Sequence, residues 1–195
     1  MLTLIWLAIG VIIIVSIILV WEQQGNILPF RQNEALSPRY RNVFNLQLGD
    51  IVQYEGVDWV VEGKLTYSDG DTWLEYLLQD GDNIRWLSAE EDDWIEVQWL
   101  EICTELEISG KPPSHLTLGD ITYKLAESGT AKMTRLGNTF NRQTQYCQYF
   151  DYKGKGNHVL SVEIWDGDIE VTIGQRISPS SLSLLPGDGR RVYND

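Results

Sequence analysis

Between Leu2 and Trp21 the chain carries no charge, and only Thr3, Gly10 and Ser16 interrupt a run of Leu, Ile, Val, Ala and Trp. As a helix, twenty residues at ~1.5 Å each span about 30 Å, the thickness of a bilayer's hydrocarbon core. Residues 2–21 are therefore expected to form one transmembrane α-helix, with the lipid bilayer as partner. A cleaved secretory signal would show a basic start, a shorter apolar stretch and a small-residue cleavage site. None of these is present.

Arg31, Arg39 and Arg41 follow the run, and no Lys or Arg precedes it. The positive-inside bias then keeps the remainder in the cytoplasm, at the inner membrane, with the N-terminus outside. Cys103 and Cys147 form no C-x-x-C pair, which is compatible with a reducing compartment.

Residues 22–45 contain Pro29 and Pro38, lack sustained periodicity, and read as a juxtamembrane spacer. Beyond them the charge is unevenly placed. Residues 46–110 hold seventeen Asp or Glu against Lys64 and Arg85, whereas residues 116–195 balance nine acids with nine bases. Acidity in the first part, within a net charge of −13, repels phosphate and argues against nucleic acid as a partner. It is compatible with plain solubility or with a basic protein partner.

The run Leu46-Gln47-Leu48-Gly49-Asp50-Ile51 recurs as Leu116-Thr117-Leu118-Gly119-Asp120-Ile121. Leu87-Ser88-Ala89-Glu90 is echoed by Leu160-Ser161-Val162-Glu163, and Ile95-Glu96-Val97 by Ile169-Glu170-Val171. The offsets of 70, 73 and 74 residues are those of a duplicated unit with small loop insertions. Residues 58–61, 72–78, 95–99 and 159–165 are rich in β-branched and aromatic side chains. Asp69-Gly70-Asp71, Asp80-Gly81-Asp82 and Asp166-Gly167-Asp168 supply tight hairpin turns. The expected architecture is all-β: two tandem small SH3-like barrels or rolls over residues 46–110 and 116–186, with a single larger sandwich as the fallback. Residues 187–195 are expected to form a flexible tail.

The segments Leu48-Gly49-Asp50-Ile51-Val52, Trp59-Val60-Val61-Glu62-Gly63 and Trp86-Leu87-Ser88-Ala89-Glu90 resemble the bacterial domain-of-unknown-function family 4178. In the second half, Glu127-Ser128-Gly129-Thr130-Ala131, Phe150-Asp151-Tyr152 and Leu160-Ser161-Val162-Glu163-Ile164-Trp165 continue the resemblance, which covers about residues 46–186. It implies no activity, cofactor or catalytic residue. What it implies is an accessory protein of the kind found with membrane or stress-response components.

The acidic run Glu90-Glu91-Asp92-Asp93 is the main candidate for chemistry. Such carboxylates suit Ca²⁺ or Mg²⁺, or an acid and a base with separated pKa values. Neighbours on a strand point to opposite faces, however, so a solvated turn accounts for the run without any function. The Asp-Gly-Asp triplets lack the extended ligand pattern and distal Glu of a calcium loop. His115 and His158 belong to no zinc motif, and no nucleophile elbow is present. No cofactor, metal or catalytic residue is assigned.

Five tryptophans, Trp59, Trp73, Trp86, Trp94 and Trp99, crowd the first module. Most should pack in a core, and one or two left outside would make a binding patch. The leading expectation is a membrane-tethered cytoplasmic adaptor or assembly protein. Trp94, Trp99, Glu90, Glu91, Asp92 and Asp93 would form its interaction surface toward a basic or integral-membrane protein. The alternatives are a membrane-anchored hydrolase or metal-dependent enzyme using Glu90, Glu91, Asp92 or His158, and a small accessory subunit of an integral-membrane complex.

Overall fold

A computed structural model describes residues 40–140 and 145–187. The expected transmembrane helix and all but the first residue of the expected tail lie outside these residues. Among the described residues, no helix is long and apolar enough to cross a membrane.

Alternation dominates the strands. In Val57–Asp69 every second residue from Trp59 to Tyr67 is buried, the signature of a strand with one face inward. In chain order the first half holds β1 (Ile51–Tyr54), β2 (Val57–Asp69), β3 (Asp71–Asp80), β4 (Asn83–Glu91) and β5 (Ile95–Ile102). The second holds β6 (His115–Leu118), β7 (Ile121–Gly137), β8 (Tyr146–Lys153), β9 (His158–Trp165) and β10 (Asp168–Ile177). A 3₁₀ turn at Pro179–Ser181 leads to β11 (Ser183–Leu185). All three Asp-Gly sites are hairpin tips, with Gly70, Gly81 and Gly167 at positive φ.

All strands join one antiparallel sheet, ordered β11-β1-β2-β3-β4-β5-β10-β9-β8-β7-β6, and an added β2–β7 pairing closes it. Strands β2–β5 and β7–β10 thus form one eight-stranded barrel. This corrects the expectation of two separate barrels. Each half alone would expose the open edges of two strands, with unpaired N–H and C=O groups. Pairing β5 with β10 and β2 with β7 satisfies both sets of edges at once.

Close backbone approach at the two seams requires glycine. A Cβ at Gly174 would lie 1.9 Å from the Trp99 carbonyl oxygen, and one at Gly63 would lie 1.8 Å from that of Asn138. The echoed segments meet this architecture unequally. Leu87-Ser88-Ala89-Glu90 and Leu160-Ser161-Val162-Glu163 occupy β4 and β9, and the Ile-Glu-Val pair occupies β5 and β10. By contrast, Leu48-Gly49-Asp50 precedes β1, while Leu118-Gly119-Asp120 forms the β6–β7 turn.

Three apolar clusters hold the barrel. Leu65, Tyr67, Leu77, Trp86, Leu100, Met133, Cys147 and Trp165 pack together, drawn from strands of both halves. A second cluster joins Val43 and Leu46 to Val52, Trp59, Tyr76, Leu87 and Val97, all from the first half. A third, from the second half, gathers Cys103, Leu116, Tyr123, Phe150, Tyr152, Leu160 and Val171. Consecutive burial of Trp86, Leu87, Ser88 and Ala89 in β4 follows, since one face contributes to the shared interior and the other to an outer cluster. Val43 is buried and Phe44 packs beside it, so the last residues of the expected spacer belong to the folded body.

Candidate functional site

The inward face of the barrel is not wholly apolar. Trp73, Glu75, Ser88, Glu90, Gln98, Leu100, Glu127, Tyr149, Asp151, Ser161 and Glu163 surround a cavity of about 50 Å³. Register brings them onto one face. Glu75 lies opposite Ser88 and Trp73 opposite Glu90 across β3–β4. Glu127 faces Asp151 across β7–β8, and Asp151 faces Ser161 across β8–β9. Glu90 is also opposite Glu96, and Glu163 opposite Glu170. Like charges directly opposed in a sheet are destabilising.

The aromatic side of the cavity is layered. Trp73 stacks on Tyr67 at 4.8 Å with the rings 1° apart, and meets Tyr149 edge-on at 5.2 Å. The Tyr67 hydroxyl lies 2.9 Å from Glu163 Oε1 and 3.2 Å from Glu75 Oε2. With one proton it donates to one of them at a time. Tyr149 donates to Asp69 Oδ2 at 3.1 Å. Burial, then the Asp69 hydrogen bond and the neighbouring carboxylates, pushes the Tyr149 phenol well above its usual range.

Crowding shows in the acids. Burial raises Asp151 to about 6, with the charges of Glu127 and Glu96 adding to the rise and a Ser161 hydrogen bond opposing it. Glu90 is raised first by burial, then by Glu127, Glu96, Asp151 and Asp92. Arg176 approaches Glu96 at 3.7 Å.

The sequence candidates divide. Glu90 is half-buried and lines the cavity, whereas Glu91, Asp92, Asp93 and Trp94 are exposed around the β4–β5 turn, Trp94 at 69%. Strand alternation separates Glu90 from Glu91. Trp99 is no part of that surface. It is half-buried, 4.6 Å from the Tyr54 ring and 5.5 Å from that of Trp59, because its side chain faces the first outer cluster. His158 lines a different groove, with Arg85, Tyr123 and Glu101, so Glu90, Glu91, Asp92 and His158 do not share one cavity. Among the described residues, no three His, Cys, Asp or Glu side chains are placed to hold a metal ion.

Glu75, Glu127, Asp151, Glu163 and Tyr149 were missed. The signal for part of this set was present in the echoes. Both Leu-Ser-x-Glu segments put their Ser and Glu on the cavity, as Ser88 with Glu90 and Ser161 with Glu163.

Beside the β4–β5 turn runs a second groove of about 600 Å³, lined by Tyr40, Val43, Phe44, Glu91, Ile95, Pro179 and Leu182 among others.

Against known proteins, the chain is 31% identical over 147 residues to proteins described only as uncharacterised, one from Mycobacterium bovis and two from strains of Mycobacterium tuberculosis. Each match covers 71% of this chain and 70% of the relative. No solved structure matches it significantly. The profile of a domain of unknown function, DUF4178, matches residues 47–179, a span running from just before β1 to the 3₁₀ turn, and the chain therefore belongs to the DUF4178 family.

Proposed function

We propose that this protein is a membrane-tethered cytoplasmic adaptor or assembly protein that recognises a basic partner through its β4–β5 turn. The observation that carries this reading is Trp94, 69% exposed and next to the exposed carboxylates of Glu91, Asp92 and Asp93. Tryptophan is among the residues enriched at interface hot spots, and the carboxylates beside it would supply the charge complementary to a basic partner. The neighbouring groove, with Phe44, Ile95 and Leu182, supplies apolar area for the same contact. Residues 2–21 would hold the domain at the inner membrane, raising its effective concentration near other membrane proteins. We also infer that the barrel descends from a duplicated unit, a reading supported by the echoes that fall on β4 with β9 and β5 with β10.

A photo-crosslinking residue at position 94, in intact membranes, tests the contact. The expected result is a discrete adduct that disappears when Asp92→Lys and Asp93→Lys are combined. The same adducts from position 120, in the β6–β7 turn, would defeat the reading. Deleting residues 2–21 should release the protein into the soluble fraction and abolish the adduct.

A further inference from the structure

We infer that the barrel docks on an anionic bilayer surface through the end of β7 and the start of β8, with Leu48, Leu136 and Phe140 entering the interface and Lys132 and Arg135 meeting lipid phosphates. This rests on the membrane location proposed above and adds the face that meets the lipid.

Charge carries the first part. From Ser128 to Phe150 runs the longest stretch of the chain without an Asp or Glu, although the chain holds 28 of them. Lys132 and Arg135 within it are exposed and form no ion pair among the described residues. Asp69, next to the Ser68 partner of Lys132, has its carboxylate engaged by the Tyr149 hydroxyl. In a chain of net charge −13, this stretch is the part that an anionic surface attracts rather than repels.

Exposed apolar groups lie in the same place. Leu136 is 59% exposed, Phe140 42% and Leu48 38%. An added Cβ at Gly137 would come within 2.8 Å of the Leu48 methyls, so Leu48 borders the end of β7 beside Leu136. Phe140 follows three residues later, its ring edge-on to Trp86 at 6.1 Å. Across β2–β7, Lys64 stands opposite Leu136 and adds a half-buried ammonium. Tyr146, opposite Lys132 and 59% exposed, supplies a ring of the kind favoured at headgroup level. Leu is under-represented at protein hot spots, whereas aliphatic and aromatic side chains bordered by Lys and Arg suit the lipid interface.

The acidic β4–β5 turn is kept apart from this surface. Register runs from Met133 to Tyr67, from Tyr67 to Trp73 and from Trp73 to Glu90, so β2 and β3 intervene. Docking through β7 therefore leaves Trp94 free for a protein contact.

The test places an environment-sensitive fluorophore on Leu136→Cys in the full chain, reconstituted into vesicles containing a headgroup-spin-labelled lipid. Cys103 and Cys147 are buried, so the introduced thiol takes the label. A label on Lys155→Cys, at the β8–β9 turn beyond the far end of β8, is the control. Quenching at position 136 should be at least about twofold stronger in equal parts phosphatidylcholine and phosphatidylglycerol than in phosphatidylcholine alone. Combining Lys132→Glu with Arg135→Glu should abolish that difference, and position 155 should show none. Raising the salt concentration should also shrink the difference without any charge-reversing substitution, a second readout should the double variant fail to fold. Equal quenching at 136 in both lipid mixtures, or equal quenching at 136 and 155, overturns the inference. So does a crosslink from position 136 to another protein with no lipid quenching. An alkaline carbonate wash separates the two readings. Retained protein without quenching at 136 defeats the docking surface alone, whereas released protein that had shown the phosphatidylglycerol-dependent quenching defeats the anchor and supports the docking surface.

Discussion

Asp50 ties the segment just before β1 to Gly187, 137 residues away, through one buried carboxylate. Arg41 donates to it at 3.1 Å, the Gln47 amide at 2.8 Å and the Gly187 amide at 2.8 Å. Removing one partner of a buried ion pair leaves an uncompensated charge, so Arg41→Met is expected to destabilise by about 3–5 kcal/mol in urea titration. Asp120, the counterpart in the second echo, is exposed, and Asp120→Ala should change stability little. Asp151 behaves in the opposite way. Its folded pKa, about 6, lies above the ordinary 3.8, so between those values the folded state holds more protons than the unfolded state. Its contribution therefore improves as pH falls from 7.5 through 6 and is lost again on return to neutral pH. Asp151→Asn should stabilise the protein by about 1–3 kcal/mol at pH 7.5 and flatten the stability profile between pH 5 and 7, measured by urea titration across that range.

At the scale of the strand, β2 and β7 do more than their neighbours. Each begins as an outer hairpin with β1 or β6, shifts register at Val61/Gly63 or Leu125/Glu127, and continues into the barrel wall. Such irregularities bend a strand and re-aim its side chains. Barrel closure then depends on glycine at the seams, where a side chain meets backbone and cannot displace it. Gly63→Ala and Gly174→Ala are each expected to cost at least about 1–3 kcal/mol, the range for overpacking, with a matching loss of thermal midpoint. Lys155→Ala, at the exposed β8–β9 turn, should be near neutral. The β4–β5 turn is built differently: Glu91 to Ile95 are exposed, so changes there should affect partner contact without affecting stability.

For the whole molecule, closure makes the two halves one cooperative unit. Residues 40–110 alone would expose the β2 and β5 edges and part of the shared interior, including Leu65, Tyr67 and Leu77. This fragment is expected to remain unfolded or to aggregate, as judged by near-ultraviolet circular dichroism and sedimentation. The intact chain should unfold in one transition, with tryptophan fluorescence and far-ultraviolet signal coinciding. Two resolved transitions would contradict a shared barrel.

Much of the local structure was legible in the residues themselves. Alternation, β-branched and aromatic enrichment, and the Asp-Gly dipeptides mark strands and turns because those preferences act over a few neighbouring atoms. Partnership between strands was not legible in the same way. Open edges at β2 and β5 close equally well, on local grounds, within one module or onto another, and only the full set of backbone hydrogen bonds selects β7 and β10. The cavity follows from that choice. Glu90 was visible as part of an acidic run, but its separation from Glu91 to Asp93, and its meeting with Glu127 and Asp151 from a strand order spanning both halves, exist only once the barrel closes. Sequence determined which residues alternate and where the chain turns; tertiary structure decided which carboxylates share an interior, because convergence depends on pairings between segments far apart in the chain.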